Sequence, residues 1–282
     1  MSKAHRQTRN IDLKTVVGFG EEWAAFDQRA LDAAEWAELF DNYFSIFPFD
    51  RLPKAAEGFD LGCGSGRWAS GVAPRVGLLH CIDPSQKALD VARERLAGSS
   101  NVRLHLADGD EIPLADCSQD FGYSLGVLHH IPDSKAAMRR CVAKLKPGAP
   151  FLVYLYYALD HRSGWYRALW RVSDTVRRVV SRLPFALRKG ITSSIAAIVY
   201  WPLARFSAAA EKAGANVARV PLSFYRGTSF YTMRTDALDR FGTRLEQRFT
   251  REQIQHMMEE SGLRDIRFRE GEPYWVACGS RG

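Results

Sequence analysis

Between residues 57 and 157 short apolar runs alternate with stretches of helical period. The runs at 57–61, 77–83, 101–107, 120–125 and 150–157 read as strands, with helices near 66–74, 85–97 and 134–145 between them. Such alternation builds a parallel sheet with right-handed crossovers, and ligands of these sheets bind beyond the carboxyl ends of the strands, at the switch point beside the first one. Ahead of the sheet, residues 16–48 carry Trp23 and Phe26, then Trp36, Phe40 and Phe44, at three- or four-residue intervals. This spacing predicts N-terminal helices with one buried aromatic stripe.

After the fifth run the pattern breaks. It resumes at Thr250-Arg251-Glu252-Gln253, a capping box that opens a helix through Glu260, followed by strands at 263–270 and 273–279 with Gly271 and Glu272 between them at hairpin spacing. The interval is an insertion. Within it, residues 165–183 divide by helical angle: Trp165, Leu169, Val172, Val176, Val179, Val180 and Leu183 share one arc, while Arg171, Arg177, Arg178 and Arg182 take the other side. The apolar arc is expected to cover the core or a bound acceptor, and the arginine face to point outward. Pro184 ends that helix, Pro202 breaks the next apolar stretch at 195–206, and 221–244 reads as loop. The chain divides into an N-terminal helical cap (1–54), a sheet-bearing core (55–160 and 245–282) and a basic, largely helical lid (161–244).

Composition narrows the class. Of 282 residues 46% are hydrophobic and 25% charged, the balance of a globular protein, and no run approaches the length of a membrane span. The polar start, MSKAHRQTRN, lacks a signal-type apolar stretch, so cytoplasmic residence is expected. Five scattered cysteines, none in C-x-x-C spacing, point to neither a disulfide framework nor a metal site. Net charge is +7, but residues 161–230 hold twelve basic residues against two acids, which leaves the remainder of the chain acidic. Charge asymmetry of this kind marks a segment with its own surface to meet: an anionic acceptor, a peripheral membrane contact or solvent.

The chemistry centres on FDLGCGSGR at 59–67, where an acid, Asp60, precedes Gly62, Cys63, Gly64 and Gly66. Glycines there let the backbone turn with positive φ and let a polar ligand approach the main chain, and a helix opening at 66 would aim its free amides at the ligand. The spacing also fits the dinucleotide fingerprint. Asp83, followed by Pro84 at the end of the second strand, stands where a carboxylate accepts hydrogen bonds from both hydroxyls of a ribose, though it also suits a helix entry.

These motifs, with QDFGYSLGVLHHIPD at 119–133, resemble the class I S-adenosylmethionine (SAM) methyltransferases, in particular the small-molecule enzymes of the ubiquinone and menaquinone biosynthesis type. The resemblance covers about 55–160 and 250–282. It implies an α/β Rossmann-like sheet of seven strands, mostly parallel with an antiparallel last strand, and SAM as the cofactor, with no metal. It places Asp108 and Gly109 at the adenine, Leu125 and Gly126 along the cofactor, and His129 and His130 beside the departing methyl. There a histidine serves either as general base or as loop scaffold. An insertion at this point in such enzymes roofs the acceptor pocket, which makes Tyr156, Tyr157, Tyr225, Tyr231 and Asp239 the candidate acceptor contacts. The activity implied is methyl transfer by direct displacement to an oxygen, nitrogen or carbon nucleophile of a small or amphiphilic metabolite, with no nucleic-acid partner. The alternatives are a nicotinamide-dependent oxidoreductase and a non-catalytic SAM-binding regulator.

Overall fold

The computed structural model describes residues 9–160, 162–217, 220–271 and 275–282. One seven-stranded sheet forms its centre: β1 (Glu57–Leu61), β2 (Leu78–Asp83), β3 (Val102–Leu106), β4 (Phe121–Leu125), β5 (Pro150–Tyr154), β6 (Leu263–Phe268) and β7 (Val276–Arg281). The order is β3-β2-β1-β4-β5-β7-β6, with β7 antiparallel to both its neighbours and the rest parallel. The predicted fold class is therefore the observed one. The chain leaves β1 towards β2 and β3 on one side and returns to β4 on the other, so the switch point lies between β1 and β4.

Two apolar layers sandwich the sheet. On one face α2 (Ala33–Phe44) stacks Phe40 on Phe44 with ring centroids 4.4 Å apart, and Phe44 meets Tyr123 of β4 edge-on. On the other face α5 (Ser134–Lys144) and α10 (Arg251–Glu260) bury Met138, Cys141, Ile254 and Met258 against Phe59 and Phe151. The Thr250–Gln253 capping box forms as predicted. The aromatic stripe divides: Phe26, Phe40 and Phe44 are buried, while Trp23, on α1 (Leu13–Ala25), turns to the glycine loop.

Several element boundaries differ from expectation. The helix after the glycine loop is only α3 (Ala69–Val72) with a 3₁₀ turn to Arg75, too short to present a developed dipole. Strand β5 ends at Tyr154, leaving Tyr156 and Tyr157 beyond the sheet. The last two strands pair as a hairpin, but more than Gly271 and Glu272 joins them: β7 begins at Val276 because its partner β5 holds it in register from Pro150–Ser280 to Tyr154–Val276. Residues 272–274 of the expected strand lie outside the described residues.

The insertion contains α6 (Gly164–Val180), α7 (Phe185–Ile195), α8 (Trp201–Lys212) and α9 (Phe230–Gly242). Pro202 does not break its helix. A π turn over Ala196–Tyr200 links α7 to α8 and takes up the clash and the missing donor that proline introduces. The stretch expected as loop at 221–244 is mostly α9, with Ser229 accepting from the Thr232 N–H as its cap. The insertion has a core of its own, in which Val180, Tyr200 and Ala204 meet Met233, Ala237 and Phe241.

The expectation for α6 holds only in part. Arg171, Arg178 and Arg182 face outward as expected, but Arg177 is buried together with Asp174, and of the apolar arc Val180 is buried and Leu183 half-buried while Trp165, Leu169, Val172, Val176 and Val179 are exposed. The Arg177 Nε donates to Asp174 at 2.8 Å, and its Nη1 donates to the carbonyls of Thr243 and Arg244 at 2.9 and 3.0 Å. A guanidinium can satisfy three acceptors at once, two of them backbone carbonyls at the end of α9 that no helical N–H reaches. Helical periodicity finds two faces, but it does not say which of them has acceptors waiting. Arg177→Ala should lower stability by about 3 kcal/mol, since it strands two carbonyls and leaves the buried Asp174 carboxylate with Arg178 alone, whereas exposed Arg171→Ala should change it by less than about 0.5 kcal/mol. Urea unfolding followed by tryptophan fluorescence distinguishes the two; equal effects would refute the assignment.

Candidate active site

Four strands deliver the site at their carboxyl ends. Beyond β1, Gly62, Gly64 and Gly66 all adopt left-handed φ, at 79°, 53° and 73°. The Gly62 and Cys63 N–H groups donate to the Ile82 carbonyl at 2.7 and 3.1 Å, which ties the loop to β2. A side chain at Gly62 would collide with Val127, and one at Gly64 with the Trp23 indole, so the glycines admit close neighbours as well as an unusual turn. Through Gly20, α1 also packs against Ser85 at the start of α4 (Gln86–Arg95). The N-terminal helix thus crosses directly above the loop.

Asp83 receives the Gly64 N–H on Oδ2 at 2.9 Å and the Ser85 N–H on Oδ1 at 2.8 Å. Each oxygen keeps a lone pair for a ligand hydroxyl. Burial pushes this carboxyl up to about 6, although both backbone bonds favour its charged form. Asp60 is buried too, its carboxyl raised well above the usual range by desolvation, and its Oδ2 lacks a hydrogen-bond partner. Pro84 lies between Asp83 and the Ser85 cap of α4. Asp108 Oδ1 accepts the Asp110 and Glu111 N–H groups, and its Oδ2 pairs with Arg9 at 3.0 Å, so Asp108 shapes the turn that presents Gly109.

Beyond β4, Leu125 is buried and Gly126 turns with φ 79° into the 3₁₀ turn Leu128–His130. Both histidines are buried, and desolvation lowers both below the usual imidazole range. His130 Nδ1 lies 2.7 Å from the Leu245 carbonyl and must be the protonated nitrogen, which leaves Nε2 as a bare lone pair without a partner. Neither ring nitrogen of His129 has a partner, and its ring stacks on Tyr156 with centroids 3.9 Å apart. The Tyr156 hydroxyl hydrogen-bonds to Asp239 of α9. His129, His130, Tyr156 and Asp239 therefore form one cluster, closed by Phe19 of α1 at 4.9 Å from the His130 ring.

The other predicted acceptor contacts are dispersed. Tyr225 is hydrogen-bonded to Asp236 one helical turn before Asp239, at the rim of the same cluster. The Tyr231 hydroxyl accepts the Gln28 N–H at 2.9 Å and its ring packs edge-on against Phe26, which gives it a role in anchoring the chain after α1. Tyr157 offers its carbonyl to Arg248 at 3.2 Å. Sequence reasoning missed Glu22, Tyr43, Tyr154 and Arg67. Glu22 is buried on α1 with Oε1 unpartnered, and its carboxyl is raised well above the usual range by burial and then by the charges of Asp239 and Asp236. One signal was available: Glu22 is an acid placed between the aromatic positions Phe19, Trp23 and Phe26. The site so built combines a glycine cradle, a ribose-competent carboxylate and a neutral imidazole beside three clustered acids.

This arrangement suits the expected SAM, because an unpartnered Asp60 oxygen and spare lone pairs at Asp83 lie at a loop whose three glycines carry no side chain of their own. A bound ribose favours charged Asp83, so SAM affinity should be full above pH 6 and fall about tenfold per unit below it. Asp236, also pushed up to about 6 by burial, titrates in the same window, so the comparison with Asp83→Asn assigns the step. At pH 7.5 Asp83→Asn should bind SAM ten- to hundredfold more weakly and lose the pH slope. Calorimetry giving the same slope for both proteins would refute the role of Asp83.

Comparison with known proteins bears on the fold and the class of reaction. Residues 59–153 match the methyltransferase domain family. Over 145 residues, 46% of this chain and 33% of the relative, the sequence is 31% identical to phosphoethanolamine N-methyltransferase 2 of Caenorhabditis elegans. Over 99 residues, 34% of this chain and 41% of the relative, it is 33% identical to demethylmenaquinone methyltransferase of Staphylococcus aureus. The chain thus spans between a third and two fifths of the length of these curated relatives. Among solved structures, a protein of Bordetella parapertussis described as a possible exported protein shares the fold at TM-score 0.51 and 17% identity, over 86% of this chain and 67% of its own. No helix among the described residues is long and apolar enough to cross a membrane. Residues 59–153, which hold the glycine cradle, Asp83 and both histidines, are thus the part of the chain that is similar to the methyltransferase domain.

Proposed function

We propose that the protein transfers a methyl group to a nucleophile on a small or amphiphilic metabolite, and that His130 holds the proton the acceptor gives up. The observation that carries this reading is the His130 imidazole: buried, neutral, its Nδ1–H fixed by the Leu245 carbonyl and its Nε2 bare, in the loop that follows Val127 against Gly62. When bound, SAM supplies an electrophilic methyl on a sulfonium. The chain itself orients, desolvates and manages the proton. Asp83 and the Gly62–Gly66 backbone fix the cofactor end, and α1 with Trp23 and Phe19 excludes water over it. Tyr156 holds the His129 ring by stacking and is itself held by Asp239, which aims the imidazole pair without being consumed.

The acceptor end is lined by Tyr43, Tyr154, Tyr156 and Tyr225 and by Glu22, Asp236 and Asp239, a set rich in hydrogen-bond acceptors on an aromatic wall. Such a wall suits a polar or aminated head on an apolar body. Relatives named for phosphoethanolamine and for demethylmenaquinone are compatible with acceptors of both kinds.

Incubation with methyl-labelled SAM and a metabolite and lipid extract, read by mass spectrometry, should yield S-adenosylhomocysteine and one labelled product. His130→Ala should cut turnover about 10²–10⁴-fold with SAM affinity near wild type. Binding of SAM without S-adenosylhomocysteine from any fraction would overturn catalysis, and loss of affinity alone in His130→Ala would make the residue a scaffold.

A further inference from the structure

The solvent half of α6 is divided lengthwise. Trp165, Leu169, Val172, Val176 and Val179 follow one another at four- and three-residue steps and are all exposed, Val172 by 64% and Val179 by 61%. Arg167, Arg171, Arg178 and Arg182 keep the same spacing along the other flank and are exposed as well. Large apolar side chains are exposed beyond α6 as well. Ile198 in the π turn is 74% exposed, and Trp201 and Phe206 of α8 are 49% and 61% exposed, with Arg205 and Lys212 among them. Exposed apolar side chains scattered singly are ordinary, but an ordered stripe of five on one helix with bulky neighbours on the next has lost water-free contacts that some partner must supply.

We propose that this outer face of α6–α8 docks on an anionic lipid surface, lying in the interface plane with the valine–leucine stripe among the acyl chains and the arginines on the headgroups. Charge selects this partner. Among the described residues from 162 to 217 the acids are Asp174, buried and paired with Arg177 and Arg178, and Glu211, paired with Arg226 at 2.8 Å. A second copy of the chain would bring arginines against arginines with Glu211, already paired with Arg226, as the one exposed carboxylate among these residues, whereas a bilayer of anionic lipid offers negative charge beside hydrocarbon. Tryptophans at both ends of the face, Trp165 and Trp201, have the amphipathic ring that settles at the headgroup level. The inward side of these helices is already satisfied by α9, so docking requires no rearrangement of the site. The surface also belongs to the segment that supplies Asp239 and anchors Leu245, so docking would bring the acceptor end of the site to where amphiphiles partition.

Sedimentation with vesicles tests this without turnover, and methylation of a water-soluble acceptor needs no vesicle, so the two readings fail separately. Wild-type protein should bind phosphatidylcholine vesicles containing phosphatidylglycerol and bind pure phosphatidylcholine weakly. Arg167→Gln with Arg171→Gln should loosen binding about 25-fold, from about fivefold per charge, and 0.5 M salt should act in the same direction. Leu169→Ser, Val172→Ser and Val176→Ser together should also abolish it, with SAM affinity retained as the check on folding. Absence of binding to anionic vesicles would overturn the proposal. So would binding indifferent to the three serines, or a concentration-dependent dimer in ultracentrifugation that the serines dissolve, which would make the face a contact between copies.

Discussion

The hydrogen bond from the Gly64 N–H to Asp83 joins the two strand ends on which the site is built. It can form only because Gly62, Gly64 and Gly66 reverse the chain in the left-handed region, which brings the loop back over the end of β2. Once it forms, Asp83 becomes buried. Desolvation then raises its pKa, and the carboxylate is left with spare acceptor capacity beside the glycine backbone. Structural and ligand-binding roles therefore coincide in one carboxyl group. At Asp108 the oxygens are committed to the turn and to Arg9, and the adjacent Gly109 is buried against Ile131, Ala137 and Leu61.

The roof over this floor is held by guanidinium groups more than by apolar contact. Arg177 closes the carbonyls at the end of α9, and Arg188 bridges the Gly242 carbonyl at 3.1 Å and Glu21 of α1 at 2.9 Å. Arg248 and Arg240 share the carboxylate of Glu246. These ties lead to the histidines by covalent continuity: Thr243 and Arg244 take Arg177, Leu245 takes His130, and the Gln247 N–H donates to the His129 carbonyl at 3.0 Å. A buried arginine held by several acceptors is a stiff strut, because loosening one contact weakens the compensation of a buried charge. The insertion thereby sets the tautomer of His130 from outside the sheet. Among the described residues of the insertion Arg177 and Arg188 are the buried basic side chains, and the others reach solvent in part or in full.

The sequence by itself determined the sheet and the cradle. Short apolar runs, a strand-ending acid before three glycines and a second acid at the end of the next strand are local patterns whose physics needs only near neighbours, so β1 to β4, the glycine turn and the place of Asp83 were legible to within a residue. The capping box at Thr250 was legible for the same reason. Tertiary structure decided what depends on distant partners. That α6 would bury Arg177 and expose Val172 followed from two carbonyls some 66 residues away, invisible to a helical wheel. That Tyr156 would meet Asp239 while Tyr231 anchors Gln28 depended on how α9 lies across α1. Glu22 joined the acids because α1 folds back over the sheet. Helical period fixes which residues share a face, and only packing decides which face is covered, since burial is a property of the partner's surface as much as of the helix's own.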